Sequence, residues 1–572
     1  MSSGHSGEQI VSAAKTVFDL LQRRDYDAAL TAALAIPADH PDRDALERVA
    51  WARMGRFPEA VVAGRRHLAR GGASNEDWFR QAQILLRSGA LEEAFAVGMT
   101  ALSQAPEDWR LLIPVVEAVL AEPRLELRLR AEAAAIIVRH PRVLPPAFDG
   151  QGGVLLANRL PHIAPLGGEH PLYFRFCEYL DPIPRYRPES YGAGLLAAAI
   201  DALPRAAFAV ERLMAAGIGV GRRAAARYVA SRFPTLLVNH QGCAIELALQ
   251  QTMTLGELPY FVIFDFMPML FYPFSPTEHM SFPEDDEELF RIIGHELDSP
   301  ACLGFQVYTE TQKSLLSAVF DNPRLGQKAH FINFLSSVEP DVEISTRLRP
   351  RGEEPTVTLL FAASFAPSED GFYMRGGVDA INAFAELYEE FPHLRLILCG
   401  QLPRSLSARL ADLVEHHPAI TWRREYIPQA EYEEMLAEND IFVSPAIATF
   451  RNGLIQAMER GLVPVVSDGH YAAEFVSHEV NGLVVEGRKR LADVVSGGGF
   501  RSDWRALYGA VDHPSDAEFY AAFKAALRRL ITGRDLLRRM SERNLKDGSR
   551  HQFSPVDIER FRTLVGDAVR RV

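Results

Sequence analysis

Chemistry in this chain is concentrated where a cation or a glycine opens a helix or closes a strand. Met374-Arg375-Gly376-Gly377-Val378-Asp379-Ala380-Ile381 sets one cation and two glycines at the start of an amphipathic run. Backbone N–H groups at a helix start, with a cation beside them, make an anion site suited to a phosphate or diphosphate. Leu394-Arg395-Leu396-Ile397-Leu398-Cys399-Gly400 reads as a buried strand, and its closing glycine lets the backbone approach a ligand closely. Asp440-Ile441-Phe442-Val443-Ser444-Pro445 is a second strand. Phe450-Arg451-Asn452-Gly453-Leu454-Ile455-Gln456-Ala457-Met458 comes after it as a turn and short helix, again with its N-terminus at the strand end. Taken singly, each stretch is also what an ordinary surface arginine or strand end looks like. Their convergence points to a bound anion.

Other reactive residues carry two readings each. His240, within Asn239-His240-Gln241-Gly242, ends an apolar run. It either orients an acceptor hydroxyl or is a hydrogen-bonded, partly buried histidine, and both readings stand. His470, in Asp468-Gly469-His470-Tyr471, is a lesser candidate of the same kind. The acidic run Glu284-Asp285-Asp286-Glu287-Glu288 invites a metal, but acids favour a helix N-terminus and a helix start is the better reading. Cys177, Cys243, Cys302 and Cys399 lie far apart without a CxxC pair, which describes buried thiols in a reducing compartment. No metal site is expected. Arg222-Arg223-Ala224-Ala225-Ala226-Arg227, Arg528-Arg529 and Arg538-Arg539 allow peripheral contact with anionic lipid, although solvated helix faces explain them as well.

Three kinds of element must position these residues. Up to about residue 145 the apolar residues recur at helical spacing, as in Ala14, Val17, Phe18 and Leu21. A short pattern recurs there, aligned on Ala29, Ala60 and Ala94, which are 31 and 34 residues apart. Gly55 and Gly89 precede the second and third copies. A small residue at that period lets paired helices approach closely. Pro and Gly crowd residues 141–170 and punctuate the chain. Strand-like runs then alternate with helices: residues 234–240, 260–265, 303–308 and 330–334. After a polar linker at 351–355 a second series has strands at 357–362, 394–399, 420–422, 440–444 and 463–467. Its helices are expected at 377–391, 431–438 and 453–460. Alternation of this kind predicts two α/β domains with parallel sheets, each binding ligands at the carboxyl ends of its strands.

The whole-chain numbers agree. At 572 residues the chain is too long for one core and suits about three domains. With 48% hydrophobic residues it is globular. Its net charge of −13 disfavours nucleic acid, because neutralising phosphates needs a basic face. The polar start at residues 1–10 has no signal-peptide pattern, and no apolar run approaches the length of a membrane span, so a cytoplasmic location is expected.

The order of these segments resembles the family 4 glycosyltransferases, which have the two-domain GT-B fold. Residues 357–486 carry the resemblance best, including Glu474-Phe475-Val476 and Asn481-Gly482-Leu483-Val484-Val485. Thr309-Glu310-Thr311-Gln312-Lys313-Ser314-Leu315-Leu316 is similar to that family's helix entering the interdomain region. The first 145 residues resemble tetratricopeptide repeats, which imply a docking surface for a protein partner. The expected architecture is therefore α/β, GT-B, preceded by an all-α repeat domain. Its parts are repeats at 1–145, an acceptor domain at 170–350, a donor domain at 351–550 and a helix at 551–572 that crosses back to the acceptor domain.

The resemblance implies transfer of a sugar from a nucleotide sugar, with retention, to a protein or saccharide acceptor. It implies no cofactor, the nucleotide sugar being a substrate. Arg375 and Gly376 stand where the family binds phosphate, and Gly400 matches the glycine ending its second strand. Tyr426 and Ile427, with Glu425, lie where the base is held. Asn452, Gly453 and Leu454 would surround the diphosphate. Glu474 matches a glutamate near the donor sugar, and His240 faces the acceptor. Departures are also visible. The family's two glutamates, separated by seven residues, are here Ala448 and Gln456, and a second family cation is replaced by Ser364. Gln456 still offers an amide oxygen to a ribose hydroxyl. Arg451 could replace the missing cation. These losses also fit a scaffold that has kept the fold and lost catalysis.

Overall fold

The computed structural model describes residues 25–139 except 107, 195–236, 243–249, 255–263 and 287–332. It further describes 355–488 apart from 364–368, 404, 426, 448–450, 470 and 471, then 516–547 and 555–570, with strands at 153–157 and 185–186 and a few single positions. The chain begins with α1 (Tyr26–Ala35), α2 (Pro41–Arg53), α3 (Phe57–Ala69), α4 (Asn75–Ser88), α5 (Leu91–Gln104), α6 (Trp109–Ala121) and α7 (Leu125–Arg139). From α1 to α6 each helix packs on the next. Ala29, Ala60 and Ala94, the aligned alanines, sit near the starts of α1, α3 and α5 and are completely buried, which lets the neighbouring helix come close. Ser74 and Asp77 form a reciprocal cap at the start of α4, and Gly89 ends it in the left-handed region.

The helical array is continuous with the first α/β unit. After β1 (Gly153–Ala157) and β2 (Arg185–Tyr186) come α8 (Leu195–Ala215) and α9 (Arg222–Leu236). Helix α6 packs on α9, and Arg223 donates to the carbonyl of Leu86 in α4 at 2.9 Å. Arg222 pairs with Glu211. Two of the basic residues read as a lipid-facing candidate thus have internal partners.

The strand expected at 234–240 does not form over its first residues: Pro234, Thr235 and Leu236 belong to the end of α9. The helical period through buried Ala225, Ala226, Tyr228, Val229 and Ala230 outweighs the short apolar triplet beyond it. His240 lies outside the described residues. The strand comes next, as β3 (Cys243–Leu249), and is hidden in the sequence by Glu246 in its middle, a carboxylate that is fully buried. After it come β4 (Tyr260–Ile263), α10 (Glu287–Asp298), β5 (Cys302–Val307), α11 (Glu310–Val319), α12 (Pro323–Gln327) and β6 (Ala329–Phe331). Glu287 and Glu288, of the acidic run, lie in the first turn of α10, where Glu288 accepts from the Gly221 amide. The first sheet is parallel in the order β2-β1-β3-β4-β5-β6.

The second series reads β7 (Val357–Ala362), α13 (Glu369–Met374), α14 (Gly377–Glu390), β8 (Leu394–Cys399), α15 (Ala408–His416) and β9 (Ile420–Arg423). It continues α16 (Gln429–Glu438), β10 (Ile441–Ser444), α17 (Arg451–Glu459), β11 (Val463–Ser467) and β12 (Leu483–Val485). Its six parallel strands run β12-β11-β10-β7-β8-β9. The order reverses between β7 and β10. A crevice opens at such a point, because the connections leave it in opposite directions. Strands β10 and β11 are apolar and buried on both faces, as the interior of a parallel sheet requires.

Helices α18 (Ala517–Thr532), α19 (Arg534–Asp547) and α20 (Pro555–Arg570) complete the chain. Helix α18 packs on α14 through Phe519 and Phe523, while Arg528 and Arg529 pair with Glu390 and Glu479. Helix α20 returns to the first sheet: it packs on β3, and the Phe561 ring meets Phe261 edge-on at 5.7 Å. Cys243, Cys302 and Cys399 are buried thiols, and burial pushes them up to about 11, 12 and 12. Cys177 lies outside the described residues. Among the described residues no helix is long and apolar enough to cross a membrane, and no group of three His, Cys, Asp or Glu could hold a metal.

Candidate functional site

At the reversal between β7 and β10 the loop that links α13 to α14 is pressed against the end of β10. The Ile447 amide donates to Met374 O at 2.7 Å. A Cβ on Gly376 would stand 2.4 Å from Pro445 O, and Gly376 has φ +76°, so both space and backbone exclude a side chain. This contact fixes Arg375, half-buried, at the carboxyl edge of the sheet. Gly400 closes β8 with φ +131° and its Cβ position 3.0 Å from that of Ala363, at the end of β7. Trp422 Nε1 donates to Gly400 O at 2.9 Å and holds the turn.

Helix α17 starts at Arg451, two residues earlier than the sequence pattern predicts, with Asn452, Gly453 and Leu454 in its first turn. Nothing is described of the Arg451 and Asn452 side chains, whereas Leu454 is fully buried and Gln456 half-buried. Leu454 and Ile427 therefore serve the core beneath the site; both belong to one apolar cluster with Leu360, Cys399 and Phe442. Ser364, Tyr426, Ala448 and His470 lie outside the described residues. The structure thus brings together Arg375, Gly376, Gly400 and the start of α17.

Helix N-termini converge on this edge from α14 and α17, and the electrostatics favour an anion. Asp379, in the first turn of α14, would oppose one. It is buried and paired with Arg488 at 3.1 Å, and Arg488 in turn stacks on Phe519 at 4.9 Å. Burial raises the Asp379 carboxyl and the guanidinium opposes the rise. The pair compensates the acid and leaves the helix end positive. Behind α17, Arg460 is 1% exposed and contacts Glu433 of α16 at 3.3 Å and Glu459 at 3.5 Å, so α16 and α17 move as one. Sequence reasoning misses this triad, because charged residues on helices are ordinarily solvated.

The first sheet contributes from the opposite side. Thr309 caps α11, its hydroxyl accepting from the Gln312 amide at 3.1 Å. The two amides ahead of it, Glu310 and Thr311, donate to the two carboxylate oxygens of Glu474 at 2.9 and 3.0 Å. Glu474 comes after β11 and α11 comes after β5, so the carboxyl ends of the two sheets meet. The resemblance sets Glu474 beside a donor sugar; here its carboxylate is engaged with the first α/β unit.

Residues 356–496 match the model of one protein family, Glycosyl transferases group 1. The match falls on the second α/β unit. The two parallel sheets, with their carboxyl ends together, form the GT-B arrangement behind a helical region. No curated protein matches the chain. Among solved structures, HepE of Anabaena, in complex with UDP and glucose, is similar over 74% of this chain and 100% of its own, at 10% identity and a TM-score of 0.41. A Thermobaculum terrenum O-GlcNAc transferase mutant is similar over 100% of both chains, at 13% identity and 0.37. A UDP-forming α,α-trehalose-phosphate synthase from Burkholderia xenovorans covers 73% of this chain and 99% of its own, at 11% and 0.44. The two sheets of the chain itself, rather than these distant likenesses, define its architecture.

Proposed function

We propose that the protein transfers a sugar from a nucleotide-activated donor, with retention at the anomeric carbon, to an acceptor presented by the first α/β unit. One observation carries this reading: in a glycosyltransferase family domain, the loop bearing Arg375 and the N-terminal end of α17 meet at the reversal point of a parallel sheet. A diphosphate bound there would lie between a guanidinium and the free amides of a helix start. Both stabilise the negative charge that grows on the leaving group as the glycosidic bond breaks. Arg451 and Gln456 are proposed to support the diphosphate and the ribose, and the backbone at Tyr426 and Ile427 to flank the base. His240 and Ser364 complete the set of proposed contacts. The helical array is proposed to act as a tetratricopeptide-like docking module for a protein acceptor or partner, in the cytoplasm.

Calorimetric titration of the full chain with UDP, GDP and ADP tests the site, together with donor hydrolysis using the matching nucleotide sugars. Binding by the wild type, with loss of at least tenfold in Arg375→Ala, is expected. No binding of any nucleotide would sink the transferase reading. Binding without turnover, over a range of acceptors, would favour the rival motivated by Ala448, Gln456 and Ser364: a glycosyltransferase fold retained as a scaffold.

A further inference from the structure

Tyr432 belongs to no motif, yet its hydroxyl lies against α17, one of the two helix starts at this edge. It is part of α16, the helix after β9, and its amide is held by Pro428 O at 2.9 Å. Its hydroxyl is 3.7 Å from the position a Cβ would take on Gly453, so it faces the first turn of α17. The Arg375 charge and the Cys399 thiol at the end of β8 both act on the hydroxyl. The Tyr432 hydroxyl thus faces the start of α17 within electrostatic reach of Arg375.

The ring is partly exposed, but its hydroxyl is enclosed deeply enough that burial pushes it far above the ordinary tyrosine range, against the pull of Arg375. It keeps its proton at every working pH. Among the described residues no side-chain hydrogen bond ends on it. A neutral O–H beside a guanidinium and a helix N-terminus is a donor in search of an acceptor, and the acceptor such surroundings favour is an anion. The position is also rigid, because the next residue, Glu433, is 4% exposed and locked to Arg460 beyond the end of α17.

We propose that Tyr432 is a donor-binding residue whose hydroxyl donates a hydrogen bond to the diphosphate of the nucleotide. The proposal rests on the reading of this edge as a nucleotide-sugar site. It supplies a neutral donor in a site whose family cation is replaced by Ser364.

The test compares wild type with Tyr432→Phe, which removes the oxygen and keeps the ring. UDP, GDP and ADP are titrated into the full chain, and the one that binds wild type is then used with its own monophosphate. The diphosphate Kd should rise at least about tenfold, as for loss of one hydrogen bond to a charged group. The monophosphate Kd should change less than twofold, and the melting temperature should not move. A diphosphate Kd within twofold of wild type would overturn the proposal. So would equal weakening of both nucleotides, which would mean packing rather than a phosphate contact. If wild type binds none of the three, the nucleotide-sugar reading itself fails, which is a different result from failure of the tyrosine alone.

Discussion

Replacing Glu474 by alanine should loosen one contact between the two units that can be traced amide by amide. A helix start leaves its first N–H groups without intrahelical partners. In α11 the Gln312 amide is satisfied from within by Thr309, and the Glu310 and Thr311 amides, among the described residues, by Glu474, 164 and 163 residues further on. Both bonds to Glu474 are charge-assisted, at 2.9 and 3.0 Å. The carboxylate is exposed, so its contribution is that of a solvated helix cap rather than a buried pair, about 1 kcal/mol. That is roughly fivefold in an opening equilibrium. Hydrogen exchange resolved to single residues reads it directly. In Glu474→Ala the Glu310 and Thr311 amides should exchange about five times faster, while Gln312 keeps its protection. Glu474→Gln, which retains one acceptor oxygen, should fall between. Unchanged exchange at Glu310 and Thr311 would refute the contact. Equal acceleration at all three amides would mean general fraying of α11.

Two further outcomes come from the same geometry. Gly376→Ala places a methyl group 2.4 Å from Pro445 O in a left-handed backbone, a strain of about 1–3 kcal/mol; nucleotide affinity measured by calorimetry should drop at least tenfold as Arg375 is displaced, and an unchanged Kd would refute the assignment of that loop. His330 is held below the ordinary histidine value of 6.5 mainly by burial, with the Arg560 charge on α20 adding to it. Its contribution to stability is therefore complete above the unfolded value and lost as pH falls through the lower folded one. Melting temperature should fall more steeply from pH 7.5 to pH 5 in wild type than in His330→Gln, and parallel curves would show that this histidine does not titrate on unfolding.

The local grammar of the second sheet is legible in the sequence, and for a physical reason. Strands β7, β8 and β11 are mainly apolar runs whose lone polar residues, Thr358, Arg395 and Ser467, lie near an end, so the apolar stretch itself marks the strand. Strand β3 escapes because a buried carboxylate, Glu246, interrupts its apolar pattern; the packing that tolerates it is assembled from distant elements. The same limit hides the pairing of Asp379 with Arg488, and of Glu433 and Glu459 with Arg460. Each side chain alone reads as a solvated charge, and only the fold removes it from water. Arg375, Gly376 and Gly400 stand out because their residue types are themselves informative: a cation at a helix start, and glycine where a Cβ has no room. Tyr432 offers no such signal, since a tyrosine in a helix is ordinarily core. The partner of Glu474 is equally invisible, because it is a pair of backbone amides in another unit.

The contact of α6 with α9, with the Arg223 guanidinium hooked onto Leu86, makes one apolar core run from the helical array into the first sheet. The array is therefore a fixed arm and not a tethered recruiter. A flexible leash raises the local concentration of whatever it holds and lets it sample many orientations. A fixed arm does the opposite: it selects by length and angle. If the array docks an acceptor protein, the reachable positions on that protein are set by their distance from the docking point. Lengthening or shortening the array by one helix pair would then shift the sites modified, not merely the rate.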